Sequence, residues 1–174
     1  ETTVTWTVTD GSGNTATATQ TVTVTDDTDP TITAPSAVTV TTNDGCTATE
    51  VTLGDSTTSD NCSVASTTND APDAFELGET TVTWTVTDGS GNTATATQTV
   101  TVTDDTDPTI TAPDAISVTT NDACTAIEVT LGESTTIDNC SVASTTNDAP
   151  DAFELGETTV TWTVTDGSGN TAIA

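Results

Sequence analysis

One stretch recurs along the chain at a fixed interval and limits the fold more than any other feature. ETTVTWTVTDGSGNTATA begins at Glu1 and again at Glu79, and ETTVTWTVTDGSGNTA returns at Glu157, a period of 78 residues. Residues 1–78 and 79–156 differ at seven positions, all between Ser36 and Ser59 of the first copy. Solenoid units repeat every 20–50 residues or so, whereas this interval suits a small domain with its own core. The chain opens and stops in mid-pattern, which reads as a window on a longer array.

Within the repeat the signal is alternation. Thr80–Asp88 reads TTVTWTVTD, with Val82, Trp84 and Val86 on one face and Thr81, Thr83, Thr85 and Thr87 on the other. Thr93–Thr103 reads TATATQTVTVT, with Ala94, Ala96, Val100 and Val102 in one phase. The Gly-rich DGSGN between them predicts a hairpin turn. Val38 and Val40 alternate in an earlier strand. Val51 and Leu53 alternate in another, in phase with Thr49, which is Ile127 in the next copy. No window carries a helical period. The expected fold is all-β: tandem immunoglobulin-like antiparallel β-sandwiches of about seven strands each. On this reading Trp6, Trp84 and Trp162 are core residues.

Composition argues the other way, and the alternation overrules it. Val, Ile, Leu and Phe make up 29 of 174 residues, and the net charge is −27. Scattered along a chain, so few apolar residues would leave it disordered. Here they alternate with 52 threonines, and Thr is a β-branched strand former. The core will be thin.

The charge balance removes whole classes of function. There is no Lys, Arg or His. Nothing can neutralise phosphate, so nucleic acid is excluded as a partner. Anionic membranes repel such a chain, and no apolar run is long enough to span one. Schiff-base chemistry and histidine catalysis are impossible, and so are isopeptide cross-links, which need Lys. Paired carboxylates could serve a glycosidase, but any acidic loop offers such pairs. The chain is expected not to be an enzyme. A sugar-binding module would want exposed aromatics, and an ice-binding surface would want flat, closely stacked short coils; neither fits the alternation. Asn61-Cys62-Ser63 formally matches a glycosylation sequon.

The acidic punctuation DDTDP, at Asp26–Pro30 and Asp104–Pro108, marks the expected joints, because Pro ends strand pairing. Residues 1–26 are then the closing hairpin of a preceding repeat, 27–104 a complete repeat, and 105–174 a repeat lacking its last strand. Alternatively, the opening hairpin completes a domain by strand addition.

Cysteines fall two per repeat, and the spacing predicts Cys46–Cys62 and Cys124–Cys140 bridges, with two buried free thiols per domain as the alternative. Two Cys per domain without His make zinc improbable. Oxidation implies an extracellular, cell-surface location. Acidic clusters are the remaining chemical signal. Asp44 precedes Cys46, Asp60 precedes Cys62, Asp10 sits in a hairpin turn, and Asn69, Asp70 and Asp73 lie in TNDAPD. Hard oxygen ligands at this density suit calcium. The expected ligands are the joint aspartates Asp26, Asp27 and Asp29, and Asp104, Asp105 and Asp107. The alternative is solvated charge that keeps the chain soluble.

DDTDPTITAP, then DNCS, then FELGETTVTWTVTDGSGNTATATQTVTVTD resembles the hyalin-repeat (HYR) type of immunoglobulin-like domain over the whole 78-residue unit. The third Asp of DDTDP and the two cysteines per repeat depart from that family's pattern. The near-identical copies, rich in Thr and Asp and free of Lys, also resemble SprB-type adhesins of gliding Bacteroidota. Those are exported by the type IX secretion system as surface filaments. The resemblance implies a stalk repeat of a secreted adhesin. Its partners would be neighbouring repeats of the same chain, the secretion and motility machinery, and surface polysaccharide. A calcium-dependent polysaccharide- or substratum-binding module is the alternative role.

Overall fold

A computed structural model describes residues 1–121 and 123–174. Its strands run in chain order. The first hairpin is β1 (Thr2–Thr9) and β2 (Thr15–Val22). The first full repeat holds β3 (Thr31–Thr33), β4 (Val38–Thr41), β5 (Thr47–Thr49), β6 (Thr57–Ser59), β7 (Val64–Asn69), β8 (Ala74–Glu76), β9 (Gly78–Asp88) and β10 (Thr93–Thr103). The second holds β11 (Thr109–Thr111), β12 (Thr125–Ile127), β13 (Thr135–Ile137), β14 (Val142–Asn147), β15 (Ala152–Glu154), β16 (Trp162–Asp166) and β17 (Thr171–Ile173). No helix occurs among the described residues, and the fold is that of tandem immunoglobulin-like β-sandwich repeats.

The described chain forms two compact units. One comprises Glu1–Pro35, Gly54–Asp70 and Val82–Gln98; the other comprises Ser36–Leu53, Ala71–Thr81 and Thr99–Ala174.

In the first repeat the main sheet has the order β4-β10-β9-β7. β7 pairs antiparallel with β9, with a bulge between Val64 and Ser66. β4 pairs with β10 in parallel, Val38 opposite Val100 and Val40 opposite Val102. The sandwich is therefore not wholly antiparallel: a short leading strand lies alongside the last one. β3–β6 and β5–β8 form separate antiparallel pairs. Alternation sets the burial. Val82, Val86 and Val100 are fully buried, Trp84 is 8% exposed, and the intervening threonines face outward. The indole Nε1 of Trp84 donates to Gln98 Oε1 at 3.1 Å, which satisfies two polar groups that burial would otherwise penalise. Val51 and Leu53 do not continue a strand. Glu50 takes a left-handed φ of 56°, and the strand pairing stops at Thr49.

The same sequence is not buried everywhere. β1 and β2 pair over their whole length, yet every residue of both strands is exposed. Trp6 is 63% exposed and is not a core residue, contrary to its alternation. A two-stranded ribbon has only itself to pack on, so its apolar face stays wet. Trp162 is half-buried. Residues 116–119 belong to no strand, and Ile116 and Val118 are 48% and 55% exposed. A cavity of about 550 Å³ opens there, lined by Ile116, Val118, Leu131, Phe153 and Trp162 among others.

Candidate metal centre

The DGSGN turns are built around their aspartate. Asp88 Oδ1 accepts from the amides of Ser90, Gly91 and Asn92 at 2.9, 2.6 and 2.8 Å. Gly91 takes φ 97°, which a side chain would strain. Asn92 Nδ2 donates to Asp88 Oδ2 at 2.7 Å and reaches the Asp26 and Thr28 carbonyls, tying the DDTDP segment to the turn. Asp166 and Asn170 repeat the arrangement, with Asn170 Nδ2 reaching the carbonyls of Asp104 and Thr106. Burial alone would raise the Asp88 and Asp166 carboxyls. The Asn side chains and turn amides outweigh it and hold both below the usual aspartate range.

The DNCS segment supplies the next carboxylate. Asp60 Oδ2 accepts from the Cys62 and Ser63 amides, and Asp138 Oδ2 from those of Cys140 and Ser141. The turn packs directly on this loop. The Gly89 amide donates to the Ser63 carbonyl at 3.0 Å, and a Cβ on Gly89 would lie 2.8 Å from the Ser63 hydroxyl. Gly167 and Ser141 meet in the same way.

The joint supplies the third. Asp26 Oδ1 accepts from the Thr28 amide and from Asn61 Nδ2; Asp104 Oδ1 accepts from the Thr106 amide, Asn139 Nδ2 and the Thr42 hydroxyl. Two triads result, Asp26–Asp60–Asp88 and Asp104–Asp138–Asp166, each with its ligand oxygens all within 4.8 Å of one another.

In each triad, two oxygens are buried without a hydrogen-bond partner: Asp26 Oδ2 and Asp60 Oδ1, then Asp104 Oδ2 and Asp138 Oδ1. Asp104 is 7% exposed and Asp166 2%. Three converging carboxylates with unpartnered oxygens, in a chain without one basic side chain, form a group that could hold a cation. The donors are all hard oxygens. Two oxygens bound to one calcium at about 2.4 Å lie no more than about 4.8 Å apart, so each triad fits calcium. It lacks the imidazole or thiolate donors that zinc prefers.

Of the joint aspartates expected as calcium ligands, the structure gathers Asp26 and Asp104 into the triads. Asp27, Asp29, Asp105 and Asp107 are exposed and belong to neither triad. Successive residues of an extended segment point to opposite sides. The other two aspartates of each triad come from two further motifs repeated with the same 78-residue period, DNCS and DGSGN. Asp70 and Asp148, in TNDAPD, instead accept from the Thr83 and Thr161 amides at 2.6 Å.

The predicted cysteine pairing is also corrected. Cys46 bonds Cys140, across a joint and over 94 residues, with Cα atoms 4.7 Å apart; Cys62 and Cys124 are free and exposed. Cys46 follows β4, which runs alongside the Thr103 end of β10, whereas Cys62 precedes β7, which begins opposite Asp88 at the turn that opens β10. Cys46 and Cys62 therefore belong to opposite ends of an eleven-residue strand. Closing a loop this long removes more unfolded-state entropy than the short loop expected, roughly 4–5 against 3 kcal/mol. At the other joint, hydrogen bonding to Asp26 and its negative charge push the Cys62 thiol up.

Asp10 shows the turn without its partners. Its Oδ1 accepts from the Ser12 and Asn14 amides, and no second acid joins it in either triad. The Asn14 side chain, then the turn amides, hold its carboxyl below the usual range. A depressed folded value means that the turn's contribution is complete above the ordinary aspartate range and is lost as pH falls through the lowered value. In an acid titration followed by NMR, the Ser12 and Asn14 amide signals should move with a midpoint below that of an ordinary aspartate.

The repeated β-sandwich, with one aspartate triad recurring at the 78-residue period, defines a tandem immunoglobulin-like repeat. The HYR domain family matches residues 25–102 and 103–174, and the chain belongs to that family. HYR domains are tandem repeats of cell-surface and adhesion proteins, typically extracellular. No individually curated protein matches the chain. No helix among the described residues is long and apolar enough to cross a membrane.

Proposed function

We propose that the chain is a non-catalytic stalk segment of a secreted cell-surface adhesin, in which calcium at each aspartate triad fixes the joint between repeats. The carrying observation is that both triads hold buried, unpartnered carboxylate oxygens at equivalent places. Each triad gathers the joint segment, the DNCS loop and the DGSGN turn, so one ion ties three separate stretches of chain. The lysine-free, Thr- and Asp-rich copies support the narrower reading of a gliding-motility adhesin exported by type IX secretion. On that reading its partners are neighbouring repeats and the secretion and motility machinery.

Calorimetric titration of the chelator-treated chain with calcium should find two sites. Asp138→Asn should abolish one, and Asp60→Asn the other. Uptake that neither substitution changes would show the triads to be only charge. Calcium-dependent binding of the chain to surface polysaccharide would instead make the repeat itself the adhesive surface.

A further inference from the structure

The two joints share one architecture, but only one is bridged. Asn139 Nδ2 donates to Asp104 Oδ1, to the Gly45 carbonyl at 3.2 Å and to Thr42 Oγ1, so the loop carrying Cys140 is seated on the loop carrying Cys46. The unbonded cysteines sit in the same two kinds of loop. In the Cys62 loop, Asp60 accepts from the Cys62 and Ser63 amides, and Asn61 donates to Asp26, as Asp138 and Asn139 do around Cys140.

The Cys124 loop matches that of Cys46. Asn121 Oδ1 accepts from the Ile127 amide at 2.9 Å and its Nδ2 donates to the Ile127 carbonyl; Asn43 holds Thr49 by the same two bonds. The residue before each cysteine is left-handed, Gly45 with φ 57° and Ala123 with φ 55°. For alanine that conformation costs energy, so the loop shape is imposed by its surroundings and not chosen by the residue. Both free cysteines therefore sit in loops closed by the same hydrogen bonds as the loops of their bonded equivalents.

We infer that Cys62 and Cys124 are two halves of the same inter-repeat staple, each bonding a further copy of this repeat: Cys124 forward to a DNCS cysteine, Cys62 backward to a cysteine of the Cys46 type. Every repeat in an array then carries one bond at each end. The chemistry is exchange with a small-molecule disulfide. The Cys124 thiolate attacks one of its sulfurs and expels a thiolate. The DNCS thiolate then attacks the Cys124 sulfur of the mixed disulfide and expels the second. One protein S–S bond forms, one small-molecule S–S bond is lost, and two small thiols leave.

The test is the full chain with one more copy of residues 79–156 inserted after Gly156, where the period makes the insertion seamless. After oxidative refolding, peptide mapping without reductant should find Cys46–Cys140 and a second bridge from Cys124 to the inserted DNCS cysteine. Cys62 and the inserted copy of Cys124 should remain free. A Cys124–Cys140 bridge, or a free Cys124 beside an intact Cys46–Cys140 bridge, would overturn the proposal. Mapping with calcium and with chelator keeps the result separate from the cation reading.

Discussion

Trp84→Ala should unfold or nearly unfold the first full repeat, whereas Trp6→Ala, in an identical local sequence, should leave stability almost unchanged. Truncating a buried Trp costs about 3–5 kcal/mol through lost transfer energy and the cavity left behind. The Gln98 side chain, 1% exposed, also loses the indole N–H that its Oε1 accepts from, and one lost buried hydrogen bond adds about 0.5–1.5 kcal/mol. A whole domain is stable by only about 5–15 kcal/mol, and here the apolar mass is small. Trp6 is 63% exposed, so its removal falls among surface changes worth about 0.5 kcal/mol or less. Urea unfolding followed by far-UV circular dichroism compares the two. Equal midpoints for the two variants would show that burial of the Val82–Trp84–Val86 face does not hold the repeat together.

The contrast also shows what was legible in the sequence. Alternation identified the strands and the turn between them, because a period of two is a property of the strand itself. Burial is a property of what lies opposite, and three copies of the same TWTVTD meet three different environments. Trp84 lies in a four-stranded sheet, Trp162 in a three-stranded one and Trp6 in a two-stranded hairpin. The aspartates follow the same logic. Each triad aspartate stands in a visible motif, but the three are 34 and 28 residues apart along the chain, and only the fold brings Asp26, Asp60 and Asp88 together. Adjacency in DDTDP does not carry into the triads, which take only the first aspartate of each joint segment. The cysteine pairing was ambiguous for a reason of symmetry. A bond from Cys46 to the DNCS cysteine of its own repeat and one to that of the next repeat differ by a single period, so repetition alone is satisfied by either.

Pulled by its ends, the oxidised chain should extend far less than the reduced one. The Cys46–Cys140 bond spans 94 residues, which tension cannot reach while it holds. At about 3.5 Å per extended residue, that withholds about 330 Å of contour length. Single-molecule force spectroscopy should record the missing length in oxidising buffer and recover it with reductant or in Cys46→Ser. Equal final lengths with and without reductant would mean that the staple is absent. In an array stapled at every joint the effect compounds. Tension would cross each bridge and then only the 16 residues between a Cys124-type and a Cys140-type cysteine, about 55 Å per repeat against about 270 Å for a free one. Those 16 residues begin next to the Asn121 loop and end two positions after Asp138, whose carboxylate belongs to the triad and accepts the Cys140 amide. Load therefore enters the DNCS loop where the proposed cation would hold it. Chelation should lower the force of the first rupture and leave the final length unchanged, while reduction should change the length. The two devices are separable because the ion resists the onset of unfolding and the disulfide limits its extent.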